Sequence, residues 1–259
     1  MKLSVSNDEL LATFTPVLVY WIYSGIFMIL GDLNNYRLHT KAEEESKNVV
    51  TKTTVLKGVL LQQSIHITLS LLFYTITGSD KTTSTQQSSS LFVFILQFFV
   101  AMVVLDTCQY FTHRLMHMNQ FLYKHVHSQH HTLIVPYAFG ALYNHPLEGF
   151  FSDAVAGAIA VAISGMSPRA ATVFFSFTTM KTVDDHCGLW LPGNLFHLCF
   201  ANNCAFHDIH HQLYGLKRNF SNPYFVTWDK LLGTYMPYKL EKREKGGYEA
   251  RPIAYSKTE

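Results

Sequence analysis

Residues 91–117 read LFVFILQFFVAMVVLDTCQYFTHRLMH, an apolar run that ends in a pair of histidines. The run carries no charge as far as Leu105. We expect the helix to continue past Asp106, which gives it the length of about 20 residues that a bilayer crossing requires. His113 and His117 are four residues apart, so a helix presents both imidazoles on one face. This stretch therefore predicts a membrane helix whose end carries paired metal-binding side chains.

Two further motifs repeat this concentration of imidazole, His127-Ser-Gln-His130-His131 and His207-Asp-Ile-His210-His211. A spacing of three and four residues offers two ligands on one face and a third turned by one residue, so that each motif can reach two metals at once. Twelve of the 14 histidines of the chain lie between positions 113 and 211. Such a concentration is typical of a metal-binding protein.

Two isolated histidines are candidates to complete the coordination shells. His186 follows two aspartates and is the stronger candidate. His145 precedes Pro146, and a hydrogen-bonded turn residue is an equally good interpretation of it. We expect the remaining four histidines to be structural or solvated: His125, His197 and His66 as structural or packing residues and His39 as a solvated one.

Carboxylates close to the motifs are expected to orient the ligands, because a metal-bound imidazole usually donates its other N–H to an acceptor. The candidates for this role are Asp106, Asp185 and Asp208. The four cysteines show no CxxC pair and no spacing typical of a disulfide framework, and we interpret them as packing residues. They are Cys108, Cys187, Cys199 and Cys204.

The number of histidines bears on the number of metals. A structural zinc ion takes four ligands and a catalytic one three protein ligands. Eight to ten clustered histidines are too many for one such ion, and two metals with four to five imidazoles each fit better. Imidazole suits iron, copper, zinc and nickel alike, so the ligand type alone leaves the metal open.

Apolar runs predict an all-α integral membrane bundle. We place spans at about 10–30, 55–77 and 91–110 and a helical hairpin at 149–180, within one domain that covers residues 1–259. The first run lacks the basic start and the cleavage site of a signal peptide, so we interpret it as a retained span. Charged residues make up 15% of the chain, and scattered Lys and Arg residues give no nucleic-acid surface.

The distribution of Lys and Arg predicts the orientation. Residues 31–54 hold four of them, whereas the loop at 78–90 holds only Lys81, so the first segment should be cytosolic and the second lumenal. The third span and the hairpin then bring both histidine-rich parts, 106–148 and 181–235, to the cytosolic face. The expected architecture is a membrane bundle with a histidine-rich di-metal cap on that face.

The motifs HRLMH, HSQHH and HDIHH, with NHPLEG and DDHCG between them, resemble those of the fatty acid hydroxylase and sterol desaturase superfamily. Within it, the stretches KHVHSQHHTLIVPYAFGALYNHPLEGF, KTVDDHCGLWLPGNLFH and HDIHHQLYG are most similar to the plant-type sphingoid base C4-hydroxylases. The resemblance covers nearly the whole chain. The ligand motifs of the superfamily fall on His113, His117, His127, His130, His131, His207, His210 and His211, and His186 matches a further histidine.

The resemblance implies a multi-pass protein of the endoplasmic reticulum membrane with a non-haem di-iron centre. It implies O2-dependent hydroxylation at C4 of sphinganine or a dihydroceramide to give phytosphingosine. Electrons are expected from NAD(P)H through cytochrome b5 and its reductase, and a ceramide synthase is a possible partner. We expect aromatic side chains to line a lipid groove, with Phe139, Tyr143, Phe174 and Trp190 as candidates.

Two other functions are compatible with parts of the sequence. A sterol-modifying oxidase would use the same metal site, because the groove and not the histidines selects the substrate. A metal transporter should carry metal-binding residues in the middle of its spans. The histidine motifs lie outside the strongest apolar runs, and only His66 lies inside one. The sequence therefore favours an enzyme over a transporter.

Overall fold

The structure, a computed structural model, describes residues 5–77 and 90–253. Nearly all of the predicted lumenal loop at 78–90 lies outside the described residues. The described helices are α1 (Asn7–Leu30), α2 (Lys41–Lys47), α3 (Lys52–Thr77), α4 (Leu91–Met118), α5 (Gln120–His125), α6 (Pro146–Gly149), α7 (Ala156–Ser164), α8 (Pro168–Asp185), α9 (Leu195–Cys199), α10 (Cys204–His211) and α11 (Thr227–Leu231). A π-helical turn, Phe150–Val155, joins α6 to α7.

Four helical stretches are long and apolar enough to cross a membrane: α1, α3, α4 and Pro146–Ser164. The predicted all-α membrane bundle is thereby confirmed. Helix α4 continues through His113 and His117, as expected from the spacing of that pair. Many large apolar side chains of α1, α3 and α4 are exposed, which is the arrangement that a lipid environment stabilises.

The predicted hairpin is present as α7 and α8. Gly165 ends α7 in the left-handed conformation at φ 67°, which glycine adopts without a steric penalty. Ser167 then caps α8 by accepting a hydrogen bond from the amide of Ala170, and Pro168 occupies the first helical position. The hairpin packs on the earlier spans, with α8 along α1 and α7 along α4.

The polar part of the chain folds over one end of this bundle. Its core contains Leu133, Leu189 and Ile209, which pack with Tyr20 of α1. A second core joins α4, α7 and α8 around Phe174. These two cores hold the segments that carry the histidine motifs.

A short antiparallel hairpin closes the described chain, with β1 (Tyr238–Lys242) paired to β2 (Tyr248–Pro252). Leu240 lies opposite Ala250 in this register. The all-α prediction did not include these strands. Their turn contains Gly246 and Gly247 at φ 91° and 83°, a conformation that glycine permits.

Candidate metal centre

Nine buried histidines converge from four segments that are distant in sequence. Helix α4 supplies two of them, a 3₁₀ turn at His127–Thr132 supplies three, the residue that ends α8 supplies one and α10 supplies three. They form two groups, and in each group the ligand atoms lie within 4.8 Å of one another. The first group is His113, His117, His127, His131 and His210, and the second is His130, His186, His207 and His211.

Each HxxHH motif divides its histidines between the two groups. His127 and His131 belong to the first group, whereas His130 belongs to the second. In α10 the first and last histidines of the motif belong to the second group and His210 crosses to the first. The sequence predicts that each motif reaches two metal positions, and the structure divides the histidines of each motif between a group of five and a group of four.

Hydrogen bonds on the outer side of the centre fix the tautomers of several rings. A carbonyl or carboxylate oxygen can only accept, so the Nδ1 atom facing it carries the proton. The acceptors lie 2.7–2.9 Å from Nδ1. The pairs are His113 with Phe220 O, His127 with Glu148 Oε1, His186 with Thr182 O, His210 with Arg218 O and His211 with Leu133 O.

The Nε2 atoms of these five rings consequently face inward as lone pairs, whereas Nδ1 of His207 has no partner among the described residues that fixes its tautomer. Nε2 of His113 lies 3.1 Å from Nε2 of His127, and both rings carry their proton on Nδ1. Nε2 of His207 lies 2.9 Å from that of His186 and 3.0 Å from that of His211. Nitrogen lone pairs this close repel one another unless a cation lies between them. The donor set therefore fits a metal in each group.

The electrostatic environment keeps the imidazoles neutral, which is the form that binds metals. Burial lowers the pKa of His127 to about 3 and that of His186 to about 4. For His130, burial and then the neighbouring imidazoles lower the pKa well below its usual value. The same holds for His131, His207, His210 and His211.

His145 lies outside both groups, although the sequence made it a candidate ligand. Its Nδ1 accepts a hydrogen bond of 3.2 Å from the amide of Leu147, and it caps α6. The interpretation as a turn residue is therefore the one that the structure favours. The segment that carries it contributes Glu148 instead, whose carboxylate accepts from His127.

The three carboxylates expected to orient ligand imidazoles have other partners. Asp106 Oδ1 accepts from the amides of Tyr224 and Phe225, and Asp185 pairs with Lys181. Asp208 Oδ1 lies 2.9 Å from Nε2 of His39. Glu148 is the carboxylate that contacts a clustered imidazole, that of His127. Its position in the motif NHPLEG, between the histidine-rich stretches, is the feature of the sequence that indicates this role.

His39 is buried, so the prediction that it is solvated is wrong. Its side chain is 10% exposed and pairs with Asp208 in α10. The segment of residues 36–38 lies against residues 188–190 through backbone hydrogen bonds, and this brings His39 to α10. His125 is exposed and lies in neither group, and Nε2 of His66 lies 2.7 Å from Nε2 of Gln62.

A cavity of about 480 Å³ extends from the imidazoles between the spans. This volume lies within the range of about 300–1,000 Å³ that is typical of ligand sites. The predicted aromatics Phe139, Tyr143, Phe174 and Trp190 do not line it, because they pack into the two cores. The aromatic side chains that line it are Tyr20, Phe73, Tyr74, Phe150 and Phe175.

Comparisons with known proteins agree with this site. Residues 98–234 match the family model described as fatty acid hydroxylase, a range that contains all nine clustered histidines. The chain is 61% identical over 255 residues to sphinganine C4-monooxygenase 2 of Arabidopsis thaliana, with 98% of each chain covered. It is 63% identical over 246 residues to sphinganine C4-monooxygenase 1 of the same plant, with 95% of each covered.

A third relative carries a different name. The very-long-chain aldehyde decarbonylase GL1-9 of Oryza sativa subsp. indica is 52% identical over 250 residues, with 95% of this chain and 96% of the relative covered. No solved structure matches the chain. The family match and the near full-length identities show that this chain belongs to the fatty acid hydroxylase family.

Proposed function

We propose that this protein is a sphinganine C4-monooxygenase that holds two iron ions in its nine-histidine centre. It hydroxylates C4 of a sphingoid base, sphinganine or dihydroceramide, and yields phytosphingosine. One structural observation carries the proposal: two groups of converging Nε2 atoms lie at the end of an apolar cavity between the membrane spans. The names of the Arabidopsis relatives support the substrate.

The donor set fits two ions, one within the five-histidine group and one within the four-histidine group. An unactivated C–H bond in an alkyl chain lies beyond the reach of side-chain acids, bases and nucleophiles, and a di-iron centre supplied with O2 and electrons provides the oxidising chemistry. The protein binds these ions through neutral imidazoles and fixes several rings through their Nδ1 partners.

The cavity determines which carbon reaches the centre. Five of the clustered histidines line it, including His113 and His186. Polar groups lie nearby, among them Asp153 of the π-helical turn and Asn144, whereas Val17, Ile67 and Phe73 line its apolar part. C4 of a sphingoid base is two bonds from the carbon that bears nitrogen, so the polar head must lie close to the oxidised position. We place the head near the polar groups and the alkyl tail among the apolar ones.

The cellular setting is part of the proposal. Four spanning-competent helices support a multi-pass membrane protein. The basic residues that follow α1 support a cytosolic position for the centre in the endoplasmic reticulum membrane. Cytochrome b5 and its reductase then deliver electrons from NAD(P)H on that side, and a ceramide synthase is a possible neighbour.

A lipid analysis tests the proposed function. The native chain, expressed in cells that lack 4-hydroxylated long-chain bases, should restore phytosphingosine. His130→Ala should not, whereas His125→Ala should match the native chain, because His125 is an exposed histidine of the same segment and lies in neither group. Restoration by His130→Ala, or failure of the native chain when protein and iron are present, would contradict the proposal.

The rice relative and the sterol alternative define the other products to measure. A decarbonylase would consume a long-chain aldehyde and release a hydrocarbon shortened by one carbon. A sterol-modifying oxidase would change the sterol profile and leave the long-chain bases as they were. Either result, obtained without phytosphingosine, would reassign the substrate and leave the metal centre in place.

A further inference from the structure

The described residues contain a third buried cluster of metal-ligating side chains, separate from the nine histidines. It consists of Cys187, His197 and Cys204, whose ligand atoms all lie within 4.8 Å of one another. From the sequence alone, packing is the expected role of these cysteines and of His197. All three residues are buried, and both cysteines are free thiols.

His197 is held in an orientation suited to metal ligation. Its Nε2 lies 2.9 Å from Asp184 Oδ1, with 2% of the histidine side chain and none of the aspartate exposed. Trp190 stacks on the ring at 4.6 Å between centroids. Nδ1 is buried and has no hydrogen-bond partner among the described residues. Burial lowers the pKa of His197, but the neighbouring Asp184 and Cys187 side chains outweigh it and raise that pKa to about 9. A metal on Nδ1 would therefore displace a proton, and a carboxylate on the other ring nitrogen is the usual arrangement around a metal-bound histidine.

The two sulfur atoms face a common point. Cys187 Sγ lies 3.4 Å from the carbonyl oxygen of Leu189 and Cys204 Sγ lies 3.2 Å from it. The amide of Leu189 also donates to Cys187 Sγ at 3.4 Å. Both thiols donate to the Leu189 carbonyl oxygen, and burial raises the pKa of Cys204 well above its usual value, so metal binding would release their protons. The N–H donated to Cys187 Sγ favours its thiolate, which is the form that binds a metal.

We propose that Cys187, His197 and Cys204 bind a zinc ion through two thiolates and Nδ1, with the carbonyl oxygen of Leu189 as the fourth ligand. Zn–S bonds of about 2.3 Å and Zn–N bonds of about 2.0–2.1 Å place the ligand atoms of a tetrahedral ion about 3.5–3.8 Å apart. Two thiolates neutralise the charge of the ion, and zinc is among the metals that thiolate ligands select.

The ion would act as a structural clamp on the four-histidine group. Cys187 directly follows His186, and Cys204 precedes His207 by three residues, about one helical turn. The site thus joins the end of α8, helix α9 and the start of α10 at the point where two of these elements present ligands to the catalytic centre. This inference concerns zinc and does not depend on which lipid is the substrate.

Metal analysis of the full-length protein in detergent tests the proposal. The native protein should contain about one zinc ion per chain, and Cys204→Ser should lower zinc at least about tenfold. The metal of the histidine centre should remain in Cys204→Ser and serves as the check that the variant is folded. Cys199→Ser is the matched control, because Cys199 is an exposed thiol in α9, and it should retain zinc.

A measurement on the native protein covers the case in which Cys204→Ser does not fold. After removal of bound metal and addition of Co²⁺, thiolate ligation should produce a thiolate-to-cobalt charge-transfer band in the near ultraviolet. The nine-histidine centre contains no thiolate and cannot produce this band. Absence of the band, absence of zinc from the native protein, or a mass that shows a disulfide between Cys187 and Cys204 would each overturn the proposal.

Discussion

The motifs His127–His131 and His207–His211 share their spacing but not their backbone. The first lies in a 3₁₀ turn and the second at the end of an α-helix. The rings of the first and last histidines are nevertheless 4.7 Å apart in both motifs, at interplanar angles of 72° and 71°. The rings of the first and fourth residues are 5.8 Å apart in both, at 32° and 29°.

The rings of the two motifs are therefore arranged alike, and the two backbones reach this arrangement in different ways. The motifs differ outside the centre. His127 donates to a carboxylate, whereas Nδ1 of His207 is buried without a partner among the described residues. The second position is Ser128 in one motif and Asp208 in the other, and only Asp208 pairs with a distant histidine. These differences predict unequal responses to equivalent substitutions.

The largest effect is expected from His207→Ala. It leaves three imidazoles in the four-histidine group, whereas the equivalent His127→Ala leaves four in the other group. Removing a hydrogen-bond partner of a metal-bound histidine typically lowers activity roughly 10–100-fold. Removing the ligand itself should lower hydroxylation by more than that. Iron per chain, measured by elemental analysis, should fall further in His207→Ala than in His127→Ala. Equal iron losses would show that the two groups are not separate sites.

The carboxylate partner of the first motif is tested by Glu148→Gln. The amide oxygen can still accept from His127 Nδ1, but the substitution removes a group that can ionise beside a bound cation. Hydroxylation should fall about 10–100-fold, because outer partners of metal-bound histidines contribute on this scale. Glu45→Gln, at an exposed position of α2, is the control and should keep full activity. Unchanged activity in Glu148→Gln would show that the charge is dispensable.

The glycine beside the second motif gives a prediction of stability. A Cβ at Gly215 would lie 1.8 Å from the carbonyl oxygen of Ile209, so the end of α10 must move to admit it. Gly215→Ala should cost about 1–3 kcal/mol of unfolding free energy, as overpacking does. A Cβ at Gly25 meets nothing within 4 Å, so Gly25→Ala is the control. Thermal unfolding in detergent measures both, and equal midpoints would contradict the prediction.

The parts of this structure that local rules govern could be predicted from the sequence. Uninterrupted apolar runs predicted the spans, and the spacing of His113 and His117 predicted the continuation of α4. The spacing also indicates that each HxxHH motif divides its histidines between two groups, which is how the structure arranges them. The 3₁₀ turn of the first motif could not be predicted, because the same spacing accommodates either backbone.

What the sequence could not predict depends on contacts between distant segments. His39 and Asp208 are 169 positions apart, and nothing near either residue indicates the pair. The cavity aromatics were misassigned for the same reason, since an aromatic residue near a motif packs as readily into a core as into a groove. Glu148 was overlooked as an orienting group because three aspartates lie closer to the histidine motifs in sequence.

The smallest expected effect concerns the pair that distinguishes the second motif. Burial lowers the pKa of His39, but the adjacent Asp208 carboxylate outweighs it and raises the pKa above the usual value of 6.5. The charged pair therefore stabilises the fold fully below about pH 6.5, and this contribution disappears as the pH rises through the raised pKa. Replacing His39 should therefore lower the free energy of unfolding most in acid and least in alkaline solution.

His39→Gln isolates this contribution. Thermal unfolding at pH 6 should show a loss of about 1 kcal/mol relative to the native protein, and the loss should shrink at pH 9. His125→Gln, which changes an exposed histidine outside both groups, should show no such pH dependence. A deficit in His39→Gln that is the same at both pH values would mean that His39 acts through neutral hydrogen bonding. The two HxxHH motifs would then differ in packing at their second position, and not in charge.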